Sequence, residues 1–402
     1  LFSNTSGHSN HAIGYNALYY NTTGDENIAS GYRSLYSNTT GYRNIAFGYA
    51  ALLNNTTGYD NTAIGHSALI NNKTGRNNIG VGRYALRKNS TGYFNTAIGV
   101  TALENNVAGI HNTAIGFRAL TFNTSSYNTA VGLGALYFNT TGFINTAIGH
   151  DVLVNNITGS ENTASGSGAL LNNSSGSKNT ANGRFALCYN ETGQYNTALG
   201  YSAFFGGTNR TNSTALGYDT EITASNQIRL GNAPVSSIGG FANWTNISDG
   251  RLKKNIQENI SGLAFINKLR PVSYQLDMDA MAYFLGTPDS LRLFEAEAIK
   301  EAEIQTGFIA QEVELAADEV GFDFHGIDKP KNKESHYGIR YAEFVVPLVK
   351  GMQEQQAIIE EQNDIITKLK SDFENQKSEM DKITEQFNKI QKLLDSQFAR
   401  TD

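Results

Sequence analysis

The chain has 402 residues, 17 % of them charged, and a net charge of −6. The length argues for more than one domain, and the charge balance argues against a nucleic-acid binder, which would carry a basic face. A single cysteine, Cys188, excludes an intramolecular disulfide framework and a cysteine-built metal site, and no cofactor motif is present. No apolar run reaches the ~18 residues that a membrane-spanning helix needs. The chain begins at Leu1 without a signal-peptide pattern, so a targeting or attachment segment is expected ahead of it.

Composition changes sharply along the chain. All five prolines lie after residue 218, and 29 of the 40 glycines lie before it. Residues 1–218 hold 11 basic and 7 acidic side chains, too few acids to offer an obvious carboxylate pair for glycan hydrolysis. Two regimes of composition imply two architectures.

The first regime is a repeat. Glycines recur from Gly14 to Gly217 in steps of 17 residues, except for a step of 16 between Gly116 and Gly132. An alanine stands two before nearly every one of these glycines, and a leucine four after, from Leu18 to Leu187, with Phe204 last. A short strict period is the mark of a solenoid. Seventeen residues are too few for a helical hairpin, and the glycines would break a helix. One unit therefore reads as one β-coil, with two short extended segments (Asn-Thr-Ala-Ile and Ala-Leu) separated by turns. Stacked coils place identical residues about 4.8 Å apart. Asn27, Asn44, Asn61, Asn78 and Asn95 then form one amide ladder, and Asn21, Asn38, Asn55, Asn72 and Asn89 a second. The Asn-x-Ser/Thr triplets that begin at Asn4 and Asn21 follow the same period, so they read as turn and ladder chemistry in preference to glycan acceptors. Tyr15, Tyr32 and Tyr49 share one repeat position and predict a row of rings, suited to packing between coils or to stacking on sugars. The inward set of Ala, Ile, Ala and Leu is a thin core for a lone solenoid, which favours several chains on one axis. The pattern resembles the β-roll heads of trimeric bacterial adhesins, although the period differs from theirs.

Residues 219–247 read as a neck of short strands and turns. After them comes Ser248-Asp249-Gly250-Arg251-Leu252-Lys253-Lys254-Asn255. Taken alone, Ser-Asp before a helix-prone run is also an ordinary N-cap, and basic residues after it are usually solvated. Further on stand Leu269-Arg270-Pro271, then Gly307-Phe308-Ile309-Ala310-Gln311-Glu312-Val313, then Tyr341 and Pro347-Leu348. These motifs, in this order, closely resemble the intramolecular chaperone domain of phage tail spikes and fibres, the S74 peptidase family. Ser248, Asp249, Arg251, Lys253 and Asn255 match its signature position by position. The stretch 277–303, acidic and helix-prone, is longer than that pattern requires.

The resemblance implies a domain that trimerises, nucleates folding of the fibre ahead of it and then cuts itself off. It implies Ser248 as nucleophile and Lys253 as general base, a cut at Ser248 with Asp249 beside it, and Arg251, Asn255, Gln311 and Glu312 as the supporting motif. A serine hydroxyl needs such a base within reach, and a lysine serves only when neutral.

From Val345 a heptad pattern takes over. One seam position reads Val345, Met352, Ile359, Ile366, Phe373, Met380, Phe387 and Leu394; the other reads Leu348, Gln355, Gln362, Leu369, Gln376, Ile383, Ile390 and Gln397. This is a coiled-coil seam, and glutamine layers suit a three-fold axis. The expected architecture is mainly β with an α C-terminus, in homotrimeric form. It comprises a β-solenoid shaft (1–218), a neck (219–247), an α+β chaperone domain (248–344) and a coiled-coil helix (345–402). The expected function is a fibre-like surface or tail-fibre protein, located outside the cell or on a virion, whose principal partner is its own copies. The alternative is an adhesin that binds a cell-surface glycan or receptor and whose C-terminal domain trimerises without cutting.

Overall fold

The computed structural model describes residues 1–207 and 209–398, with side chains through Ser396; the Gln397 seam side chain lies outside the described residues. The chain divides into two compact units, one of residues 1–241 and 276–303, the other of residues 242–275 and 304–402. Fourteen three-residue strands, β1 (His11–Ile13) to β14 (Ile228–Leu230), form one parallel sheet in sequential order. Then follow α1 (Leu263–Ile266), β15 (Val272–Tyr274), α2 (Met278–Leu285), α3 (Phe294–Ala302), β16 (Gln305–Gly307), α4 (Ala310–Glu319), β17 (Ile327–Asp328), β18 (Gly338–Ile339) and α5 (Val345–Phe398).

The solenoid is a stack in which each residue meets its own repeat. Ala46 pairs with Ala63, and Ala97 with Ala114. The central strand alanine and the leucine four after the glycine are fully buried in coil after coil, as at Ala63 and Leu69, and together they make one continuous core. The strand β14 adds a last rung only 14 residues after β13 (Thr214–Leu216), so the coils run on into the segment expected to be neck.

The expectation of a second extended segment per coil is corrected. The Ala-Leu segment is a turn, and its leucine is left-handed, with φ of 49° at Leu35 and 53° at Leu52. Each coil has only three extended residues in which to advance, so the rest of it must bend. A left-handed residue reverses the chain and swings the leucine inward while its N–H still reaches the next coil, as in Leu35 N to Ala51 O at 3.0 Å. Left-handed backbone costs an L-residue roughly 1–2 kcal/mol, and complete burial of the leucine offsets a cost of that size. At the adjoining corner the requirement is absolute. Gly65 has φ +131°, and a Cβ there would stand 2.8 Å from the carbonyl carbon of Gly82 in the next coil.

Both asparagine ladders are present, and they share an acceptor. Asn44 Nδ2 donates to Asn27 Oδ1 at 3.1 Å and to Gly58 O at 2.8 Å. Asn55 Nδ2 donates to Asn38 Oδ1 at 2.7 Å and to the same Gly58 O at 2.9 Å. These asparagines are fully buried, so their amides satisfy one another and the turn carbonyls that water cannot reach. Burial of Asn21 also removes it as a glycan acceptor in the folded chain.

The 16-residue coil keeps the strand register, with Thr113 opposite Thr129. The missing residue comes out of the turn. Ser125 O replaces the glycine carbonyl and accepts from both Asn112 and Asn123 at 2.8 Å. Asn123 therefore does not reach back, and Asn106 Oδ1 is left buried without a partner. The same happens to Asn190 Oδ1, where the ladder ends because the next coil has glycine at that repeat position.

The second unit has an aromatic core. Phe265, Phe324 and Phe344 pack with Val313, Ala316, Ala317 and Ile327. The strands β15 and β16 pair antiparallel, as do β17 and β18. The first turns of α5 belong to this core. Leu263 N, at the start of α1, donates to Glu354 Oε2 at 2.7 Å, and a Cβ at Gly262 would stand 2.8 Å from Gly351 N. Pro347 is tolerated because it falls in the first turn of α5, where its missing N–H has no intrahelical acceptor. From Gln355 through Ser396 every residue of α5 is exposed.

Candidate active site

The segment that carries the serine is almost bare. Between Val235 and Asn259 every residue but Asp249 is exposed. Its local structure comes from one turn of 3-10 helix, Gly250–Leu252, which Asp249 caps by accepting from Arg251 N at 2.9 Å. The Arg251 guanidinium folds back onto the same carboxylate, with Nε at 3.0 Å from Oδ2, and holds the Asp249 carboxyl below its ordinary range. Asp249 is thus engaged as cap and counter-ion. Asn255 lies beyond the turn in the left-handed region, at φ 56°, which asparagine accepts more readily than most residues.

The turn brings Ser248 and Lys253 together. Lys253 Nζ donates to Ser248 Oγ at 2.8 Å. That is the distance a nucleophile and its base require. Both side chains are open to solvent. Large apolar side chains flank them with nothing packed on top: Trp244 is 88 % exposed, Ile247 86 %, Leu252 73 % and Ile256 76 %.

The remaining motif residues are built into the aromatic domain. Arg270 donates through Nε to Glu312 Oε2 at 3.0 Å, which ties the segment before β15 to α4 and keeps the Glu312 carboxyl below its ordinary range. Gln311 lines a surface cavity of about 460 Å³ together with Tyr274, Phe308, Tyr337 and Tyr341. The Tyr341 hydroxyl accepts from Phe308 N at 3.2 Å. Arg270 and Tyr341 therefore brace the motif that contains Gln311 and Glu312. Sequence reasoning noted both residues as motif members without seeing this role; a positive charge in one motif and a negative charge in another was the available signal. Among the described residues no group of three or more His, Cys, Asp or Glu side chains is placed to hold a metal ion, and no helix is long and apolar enough to cross a membrane.

The chain thus sets a parallel β-solenoid ahead, in sequence, of a small aromatic-cored domain and a long solvent-exposed helix. Residues 248–322 match the Peptidase S74 family, chaperone of endosialidase, and the match begins at the serine of the Ser248–Lys253 pair. No curated protein and no solved structure matches the chain.

Proposed function

We propose that this chain is a segment of a homotrimeric fibre, exposed on a virion or cell surface. Its C-terminal domain aligns three copies, starts the folding of the solenoid, and then cuts the chain at Ser248. The cut is supported above all by the 2.8 Å contact between Lys253 Nζ and Ser248 Oγ at the start of the family match. With the lysine neutral, the same contact reverses direction, and the amine takes the hydroxyl proton. Ser248 Oγ then attacks the carbonyl carbon of an adjoining peptide bond. The C–N bond breaks as the amide nitrogen recovers a proton from the lysine, and water hydrolyses the ester and restores the hydroxyl.

Association of three chains is supported by what one chain leaves open. Among the described residues the α5 seam from Gln355 onward is open to solvent, with Ile359 42 %, Ile366 47 % and Phe373 65 % exposed. A stripe of that length, about 80 Å for the 54 residues of the helix, is covered in water by other helices. The expectation that the strand isoleucine points inward is corrected: at the third strand position Ile13, Phe47, Ile64, Ile98, Ile148 and Leu199 are all exposed and form a second apolar row on the shaft. Neighbouring copies that bury Trp244, Ile247 and Leu252 would exclude bulk water from the Ser248–Lys253 pair. Cleavage would then follow assembly.

The repeat makes an aligned start necessary. Each coil resembles its neighbours, so three shafts can pair out of phase. A strong nucleus at one end sets the phase, and a cut behind it afterwards unlinks it from the shaft, so a shaft that unfolds cannot readily reassemble. Replacement of Ser248 or Lys253 by alanine should leave one full-length band where the wild-type chain gives two, and mass spectrometry should place the wild-type cut beside Ser248. An unchanged pattern in both variants would refute the protease.

The adhesin reading has one observation in its favour, the exposed aromatic row. Tyr15 stacks on Tyr32 at 5.4 Å, Tyr32 on Tyr49 at 5.2 Å, and Tyr49 on His66 at 4.9 Å between ring centres. The stacking uses the ring faces that a sugar would need and leaves mainly edges and hydroxyls outward. Glycan-array binding by the intact chain that is lost in Tyr32→Ala would favour adhesion; no binding would leave the solenoid as a spacer.

A further inference from the structure

The pair β15–β16 sets Tyr274 opposite Gln305. A hairpin in that register can close with a two-residue turn. Here the chain runs through residues 276–303 before it returns, and those residues belong to the compact unit of the solenoid, although both strands that carry them belong to the other unit.

The excursion is a built structure. Asp277 caps α2 by accepting from Ala280 N at 2.8 Å, and Gly286 ends it at φ +69°. Arg292, only 12 % exposed, lies 2.6 Å from Glu297 in α3 and 2.6 Å from Asp279 in α2, which ties the two helices together. The turn between them rests on the last coils. Tyr218 Oη donates to Leu291 O at 3.0 Å, and Leu291 and Met278 are buried. Pro288, Ser290 and Leu291 enclose a cavity of about 300 Å³ with Phe185, Cys188 and Tyr201 of the coils. Tyr201 in turn stacks on Tyr218 at 5.6 Å.

We infer that residues 276–303 are a tether that keeps the C-terminal fragment on the solenoid after the chain is cut at Ser248. This rests on the cleavage proposed above. The cut removes one peptide connection upstream of the excursion and touches none of its contacts. The excursion is covalently part of the C-terminal fragment, yet Leu291 lines a cavity with coil residues and its carbonyl accepts from Tyr218. Departure of the fragment would return Leu291 to water and strip the cover from Phe185, Cys188 and Tyr201. The cleaved product is therefore a nicked complex, with the assembly domain held in place.

The test separates this from autolysis by making the cut externally. A full-length chain carries Ser248→Ala and a protease recognition sequence in place of the exposed residues 242–246. It is cut with that protease and run on size-exclusion chromatography in native buffer. The two fragments should co-elute. They should separate when residues 276–303 are replaced by Asn-Gly, which closes the β15–β16 hairpin, and also in Leu291→Asp, which keeps the excursion but places a charge in its contact. Two peaks from the chain with the intact excursion would overturn the tether. So would co-elution that persists in both variants. Neither result depends on whether Ser248 and Lys253 cleave, which the band pattern of the unmodified chain reports separately.

Discussion

In the solenoid each coil finds its partner in the next coil of the same chain; among the described residues of α5 from Gln355 onward, the apolar side chains stay exposed. Leu52, Leu69 and Leu86 are completely buried, whereas Ile366, Phe373 and Met380 stand 47 %, 65 % and 63 % exposed. Asparagine shows the contrast in polar form. In the shaft its amides are buried and paired along two ladders, while the seam glutamines Gln355, Gln362 and Gln376 of α5 face solvent. The difference assigns the labour: the shaft carries the information for its own coil, and the C-terminal helix carries the demand for company. Under the proposed function, a repeat that satisfies itself along its own chain does not fix how several shafts stand in phase, and that task falls to the C-terminal part.

The sharpest way to break the comparison is to charge the helix seam. Ile359→Lys combined with Ile366→Lys should abolish trimers in sedimentation and yield insoluble or monomeric chains, although no residue of the solenoid has changed. Soluble, fully assembled shafts from that variant would show that the coils align themselves.

The next largest effect belongs to the ladder. Asn61 Nδ2 donates to Asn44 Oδ1 at 3.0 Å and to Gly75 O at 2.8 Å, and Asn61 Oδ1 accepts from Asn78 N at 3.1 Å. Asn61→Ala removes these bonds at a site without water, where each stranded group costs ~1–3 kcal/mol. Denaturant unfolding should show a loss on the order of 3 kcal/mol. Tyr32→Ala, on the exposed face, should cost far less.

A smaller effect depends on pH. Burial raises the Asp219 carboxyl from its ordinary value of 3.8 to about 6. The folded state thus favours the protonated acid, so this contribution to stability is complete below the unfolded value and is lost as pH rises through about 6. Asp219→Asn should match the wild-type chain near pH 3, below the unfolded value, and exceed it at pH 8 by about 1–2 kcal/mol. Asparagine also tolerates the left-handed φ of 47° at this position. Equal pH profiles for the two proteins would contradict the assignment.

The smallest effect restores a rung. One glycine inserted after Ser125 returns the short coil to 17 residues and gives Asn106 Oδ1 a donor. A gain of about 1 kcal/mol is expected in thermal unfolding; a loss would mean that the shortened turn is itself the better-packed solution.

Much of this was legible from residues alone. The 17-residue period gave the solenoid, because in-register parallel strands bring like residues together, so a one-dimensional repeat becomes a column in space. Both amide ladders followed from that rule, and the heptads gave the long helix by the same logic. The family resemblance suggested Ser248 and Lys253 as a pair but could not set their distance, which depends on the Asp249-capped turn between them.

Other features belonged to the tertiary structure. The Ala-Leu segment looked extended by composition and is a left-handed turn, because closing a coil outweighs the local preference of leucine. The 16-residue coil gave up its residue from the turn and kept its strand, since the ladder bonds above and below it fix the strand register. Residues 277–303 read as helix-prone and acidic; that they lie with the coils, and not with the hairpin that carries them, could not be read locally. Periodicity is a property of neighbours in the chain and survives translation into structure wherever neighbours stack. A contact such as Tyr218 to Leu291 joins segments that share no period, and only the folded surfaces decide which of them meet.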